Sequence, residues 1–352
     1  MIRQHASTLI VSVLGILAVG GCSTQNPARP PIDAAAQQTA ADKTAIQDLV
    51  ATSPEFDVAF TDDDGQLLGE ASTATPTSAT APGTQVSATD STVGATSPVW
   101  WGRRRIPPDQ PPTRTVEFLT PPDSGRALVK VTVQFNGWLY VDRTDDGIRN
   151  PGKKPLKDQV TRYALFRKIW FHPDSTSTDS VFGWRLLAVS PSQFTMIDPS
   201  RQTVNITSVT ITGANRTITI TDPSALLKLR PGTDPSVPLF RSGEILKVEA
   251  AVTNTDDGFD PPEFVTLHVP IDARAFPGPR DRVRIRMWDN GQNGDAVAGD
   301  GVYTAMWTVR DLGIHHAAVD VINARTLQNE TDDDYNSTAW GLPYVSYPSF
   351  LP

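Results

Sequence analysis

Residues 129–135 read Val-Lys-Val-Thr-Val-Gln-Phe. Apolar side chains at 129, 131, 133 and 135 alternate with polar ones at 130, 132 and 134. Successive side chains of a strand point to opposite faces, so this period of two predicts a strand with one face buried. Valine favours the pleated backbone because its branched side chain restricts χ1.

Strand patterns recur on either side of a proline-rich stretch. Tyr163 and Leu165, set among Arg162, Phe166 and Arg167, form a less regular one. Trp184-Arg185-Leu186-Leu187-Ala188-Val189 is another, ended by Ser190-Pro191. Val204, Ile206, Val209 and Ile211, then Ile218 and Ile220, predict two short strands around a Gly213-Ala214-Asn215 turn. Pro223, Pro231, Pro235 and Pro238 mark residues 223–242 as a linker. Beyond it, alternation returns at 245–252, Phe264–Val269, Val283–Met287 and Tyr303–Val309, and Ala317–Ile322 closes the series. Five or more evenly spaced short strands within roughly 100 residues indicate a β-sandwich.

One segment has the other period. Ala45, Ile46, Leu49 and Val50 fall on one side of a 3.6-residue repeat, which predicts an amphipathic helix between Asp33 and Thr52. Pro54 stops it, and Phe56, Val58 and Phe60 extend its apolar surface. A helix before several long antiparallel strands resembles the nuclear-transport-factor-like, or cystatin-like, α+β fold. The resemblance covers Asp33 to Pro191, with Gly183-Trp184-Arg185-Leu186 as its closing strand. It implies a concave sheet able to hold a pocket. A plain β-sandwich stays open for this region, because a linker interrupts it. From Ala71 to Pro98 only Gln85, Val86, Asp90 and Val93 are not Ala, Ser, Thr, Pro or Gly. Such a segment buries too little apolar surface to offset its ordering entropy.

The N-terminus carries Arg3, an apolar run from Leu9 to Val19, and then Gly20, Gly21 and Cys22. That order is a secretory signal, too short to span a bilayer comfortably. Val19-Gly20-Gly21-Cys22 resembles the lipobox of bacterial lipoproteins. The resemblance implies cleavage before Cys22, lipid on its sulfur and attachment to a membrane. Ser23, in place of Asp, implies the outer membrane. Cys22 is the only cysteine, so the chain has no means of forming an intrachain disulfide. A formal net charge of −8 gives no basic excess for nucleic acid.

Asp289 to Tyr303 reads Asp-Asn-Gly-Gln-Asn-Gly-Asp-Ala-Val-Ala-Gly-Asp-Gly-Val-Tyr. It is similar to a loop of immunoglobulin-like domains in exported bacterial proteins. With its flanking strands it makes the C-terminal region resemble an immunoglobulin-like or fibronectin-type-III-like domain, which implies an accessory or adhesive module. The loop has two physical readings. Glycines and Asx side chains build tight turns without a metal. Alternatively, Asp289, Asn293, Asp295 and Asp300 supply oxygens to calcium. Gly291 stands where a calcium loop offers an oxygen-bearing side chain, and Asp300 is shorter than the usual Glu. The acidic runs at Asp145-Asp146, Asp256-Asp257 and Asp332-Asp333-Asp334 read as turns.

The expected fold is therefore mainly β with one N-terminal helix, an α+β first domain followed by an immunoglobulin-like β-sandwich. The expected partition is signal 1–21, tether 22–32, first domain 33–222 with linker 71–98, proline-rich linker 223–242, sandwich 243–347 and tail 348–352. Trp100 and Trp101 beside Arg103-Arg104-Arg105 offer stacking and cation–π contacts to a ligand, but covering a sheet edge is the favoured reading. His315 and His316 are adjacent and would face opposite sides of a strand, and His268 and His172 stand alone. No zinc spacing, nucleophile elbow or phosphate loop appears. The expectation is a lipid-anchored, non-catalytic binding or structural protein with an unidentified protein or glycan partner. The alternative is an envelope enzyme or small-ligand carrier using a pocket in the first domain.

Overall fold

A computed structural model describes residues 32–56, 100–107, 109–122, 125–144, 148, 150–171, 181–229, 236–256, 258–270, 282–310 and 312–348. The expected signal, Cys22, the 71–98 linker, Asp145, Asp146, Asp257 and His172 lie outside them. The described chain is mainly β with one helix, α1, at Ile32–Thr52. The strands are β1 (Trp100–Arg104), β2 (Thr113–Phe118), β3 (Arg126–Asp142), β4 (Gly152–Phe171), β5 (Val181–Val189), β6 (Ser192–Met196), β7 (Val204–Thr212) and β8 (Thr217–Ile220). They continue as β9 (Leu227–Lys228), β10 (Leu239–Arg241), β11 (Ile245–Asn254), β12 (Glu263–Pro270), β13 (Arg282–Arg286), β14 (Val302–Thr308), β15 (Gly313–Asn323) and β16 (Ser337–Tyr347).

The alternation at 129–135 lies within the longest hairpin. β3 and β4 pair antiparallel from Arg126↔Arg167 to Val141↔Gly152. On β3 the odd positions from Ala127 to Phe135, with Leu139 and Val141, are buried. Burying a valine- or leucine-sized side chain contributes roughly 1.5–3 kcal/mol, so this stripe fixes which face of the hairpin turns inward. On β4 the same face carries Leu156, Val160, Ala164 and Phe166, but also the charged Asp158 and Arg162. Those two charges explain why the strand looked irregular around Tyr163 and Leu165.

From this hairpin the sheet spreads in both directions. β1 and β2 share the free edge of β3. β5 and β6 share the other edge of β4. β6 passes the sheet on to β16 through Ala339↔Phe194, and β15, β12 and β13 follow in that order. Twelve strands form this sheet, all antiparallel pairs except β10 against β16. The sheet curls so far that its ends meet: Arg284 of β13 donates to the Trp101 carbonyl of β1 at 3.3 Å. One end of the concave face is filled by Ile46 and Val50 of α1 and by Phe56, packed on Val129, Val131, Val133 and Phe166. Lys168 and Trp184 both hold Asp42 of the helix, at 2.8 and 2.9 Å.

A second sheet, β14-β11-β7-β8, covers the convex face near β12, β15 and β16. Its Val209, Ile211, Val248, Ala250, Tyr303 and Trp307 share one core with Val265, Leu267, Val319, Val321, Trp340 and Leu342. A register shift between Ala251 and Val252 accompanies the change of parity from Ile206 to Val209.

Two features differ from expectation. Residues 39–352 form one compact unit, and strands from both sides of residues 223–242 pair in both sheets: Ile211 with Val248, and Phe194 with Ala339. The hydrogen-bonded framework therefore takes in strands from both sides of residues 223–242. The other feature is β16, absent from the sequence reading. It is buried on both faces and so has no alternation, and it contains Gly341 and Pro343. Pro343 falls between the stretches paired with β6 (339–341) and β10 (345–347), where its missing N–H costs no ladder bond.

Candidate functional site

The acidic loop joins β13 to β14. Asp289 is its hub: one carboxylate oxygen accepts the N–H of Gly299 at 2.6 Å and Asp300 at 3.3 Å, the other that of Gly301 at 2.9 Å. Asp295 accepts from Gly291 at 2.6 Å, and Asp300 from Val302 at 2.9 Å. Gly291, Gly294, Gly299 and Gly301 all have positive φ, as does Asn293 at 55°. Glycine reaches that region without a Cβ clash, and Asn tolerates it. The loop also gathers Asp289, Asp295 and Asp300 so that one oxygen of each lies within 4.8 Å of the others. Three carboxylates at that spacing suit a hard cation such as calcium. Much of their lone-pair capacity, however, is engaged by backbone N–H groups. Asn293 sits in the turn beside Gly294, as its φ requires.

The concave face away from α1 holds a layer of buried charge. Trp101, Arg103 and Arg105 all enter it, at 5%, 1% and 1% exposure. Alternation along β1 and on to Arg105, the residue that follows it, places all three side chains on one side. Arg103 forms an ion pair with Asp320 of β15, and Asp320 also faces His268 of β12 at 3.1 Å. Arg105 donates to Asp158 of β4 at 2.9 Å, and Tyr335 donates to the same oxygen at 2.8 Å. Burial, with the Asp158 charge adding to it, pushes the Tyr335 hydroxyl above its ordinary value. The guanidinium of Arg284 stacks over Trp101 at 4.6 Å and that of Arg103 at 5.4 Å. Arg105 passes over Gly137, where a Cβ would lie 2.2 Å from the Arg104 carbonyl oxygen. The Trp-Arg run is thus part of a packed interior edge.

Nearby, Lys154 is fully buried and reaches the segment between β15 and β16, where it pairs with Asp334. That assignment changes the reading of Asp332-Asp333-Asp334 as turns alone. His268 does not stand alone, because the fold brings Asp320 to it from 52 residues away. His315 and His316 do face opposite sides: His316 meets Arg162 at 3.1 Å, and His315 lies against Tyr344. Sequence inspection missed Asp158, Asp320 and Tyr335, since each is defined by a partner from a distant strand.

The chain matches no protein-family model, no curated protein and no solved structure.

The second sheet has its own buried polar contact. Tyr303 donates to Glu263 at 2.7 Å, and burial raises its hydroxyl well above the usual phenol range. Arg286 stacks between Phe264 and Trp288, at 4.4 and 5.4 Å. Its burial lowers the guanidinium to about 10, against the opposing pull of Tyr303 and Glu263. A small cavity remains beside α1, lined by Phe56, Val131, Val133, Val160, Arg162 and Ser192.

Proposed function

We propose that the chain is an exported, lipid-anchored envelope protein with a non-catalytic binding or structural role. What supports this is the filling of the concave face. α1 and Phe56 occupy one end, and paired charges from Arg103, Arg105, Asp158 and Asp320 occupy the other. Charges buried this deeply are held by their partners and are poorly placed to meet a substrate. The sandwich of two sheets, with its glycine-rich loop, supports an immunoglobulin-like C-terminal part. On this reading the loop shapes the β13–β14 connection and takes calcium only weakly, because backbone N–H groups already engage its carboxylates. Lipid on Cys22 supplies the membrane attachment.

The test has two arms. Metabolic labelling with a fatty acid marks the wild-type protein and leaves the Cys22→Ser protein unmarked; label on the variant would end the anchoring claim. Pull-down from detergent-solubilised envelope returns a protein or glycan partner. The cavity by α1, with Arg162 and Ser192 converging on it, favours the carrier alternative. A stoichiometric small molecule in native mass spectra of the purified protein would therefore replace the first reading with that one.

A further inference from the structure

We propose that Lys154 and Asn329 join in an intramolecular isopeptide bond, with Asp334 as the proton carrier. Lys154 lies on β4, and its side chain has no exposure to solvent. Its Nζ donates to Asn329 Oδ1 at 3.1 Å and to the backbone carbonyls of Thr326 and Asn329 at 2.7 and 3.3 Å. The same nitrogen is paired with Asp334 Oδ1. The other oxygen of that carboxylate, Oδ2, accepts from Asn329 Nδ2 at 2.7 Å. One carboxylate therefore bridges the attacking amine and the amide nitrogen that would leave.

The carbonyl side of the amide is prepared as well. Asn329 Oδ1 accepts the backbone N–H groups of Thr331 at 3.2 Å and Asp332 at 2.8 Å. Donors so placed polarise the carbonyl and hold the negative charge that develops when an amine adds to it. A lysine that only tied down this loop would need acceptors such as the two backbone carbonyls. It would not need a side-chain amide held by two backbone donors, with a carboxylate spanning amide and amine.

The step balances without a redox partner. Asp334 takes a proton from the Lys154 ammonium, and the free amine attacks Asn329 Cγ, a desolvated lysine acting as nucleophile. The new N–C bond gives a tetrahedral oxyanion facing the Thr331 and Asp332 N–H groups. Asp334 passes that proton to Nδ2, the old C–N bond breaks, and ammonia departs with the second proton of the attacking nitrogen as ammonium. In sum, one ammonium side chain and one amide give a secondary amide and an ammonium ion. The bond would join positions 175 residues apart, tying the long hairpin to the segment before β16. In a chain with one cysteine it supplies the covalent closure that a disulfide provides elsewhere.

The experiment is mass spectrometry of tryptic digests of the full-length protein. The expected result is a branched peptide that joins residues 154–157 to residues 326–352, lighter by one ammonia than the summed masses of those two linear peptides. Lys154→Arg and Asn329→Ala proteins should lack it, and Asp334→Asn should lose it or form it far more slowly. The wild-type digest decides even where a variant does not fold. The separate linear peptides 154–157 and 326–352 in place of the branched one, or a link to Asp334 with loss of water, would overturn the proposal. An undiminished link in Asp334→Asn would overturn the role given to Asp334.

Discussion

Asp320 shows what a single residue decides here. It sits at 1% exposure between Val319 and Val321 on β15, and it holds Arg103 from β1 while facing His268 from β12. Removing one partner of a buried ion pair strands the other, at a typical cost of about 3–5 kcal/mol. Asp320→Ala should lose that much stability in chemical denaturation, and a loss under 1 kcal/mol would show the layer to be hydrated. At the surface, Asp256 behaves differently. Its hydrogen bond from the Arg325 side chain holds its carboxyl below the ordinary 3.8. A depressed carboxyl contributes stability above its unfolded value and loses it as pH falls through the folded one. Asp256→Asn should therefore lower stability at neutral pH and flatten its fall below pH 3.8, so that the two proteins converge in acid. An unaltered curve would remove the pair from the acid response.

At the scale of elements, the β13–β14 loop sets its glycine turns against its carboxylates. Positive φ at Gly294, with Met306 Sδ 3.4 Å from any added Cβ, makes Gly294→Val destabilising. Melting of the full chain in millimolar calcium and in chelator should differ little. A ligand bound to the native state at a hundredfold excess over its dissociation constant adds roughly 2.7 kcal/mol. A shift of many degrees, abolished in Asp289→Ala and Asp300→Ala proteins, would make the loop a calcium site. β3 and β16 mark the two limits of legibility at this scale. β3 announces itself because water lies on one side and core on the other. β16 is covered on both faces, so no period survives, and its Pro343 argues against a central strand until the neighbouring pairings are known.

At the scale of the whole molecule, composition and packing speak of different parts. The composition of Ala71 to Pro98 makes it the expected linker, and limited proteolysis that cuts there first and leaves the sheets intact would support that expectation. First cleavage within 182–229 instead would show that the sheets open before the linker is reached. The helix and most strands were legible because each depends on a local repeat. The acidic loop was legible too, since turn chemistry is written in consecutive residues.

The sequence by itself determined the β character, the helix that ends at Thr52, the turn glycines of residues 291–301 and the absence of disulfides. Only the tertiary structure decided that strands on both sides of residues 223–242 share two sheets, and that Arg103 meets Asp320, Arg105 meets Asp158 and Lys154 meets Asn329 and Asp334. The physical reason is range. Alternation and turn chemistry act over a few residues, whereas a buried charge is stabilised by a partner that the curled sheet carries to it from 53 to 217 positions away in the pairs that hold Arg105 and Arg103.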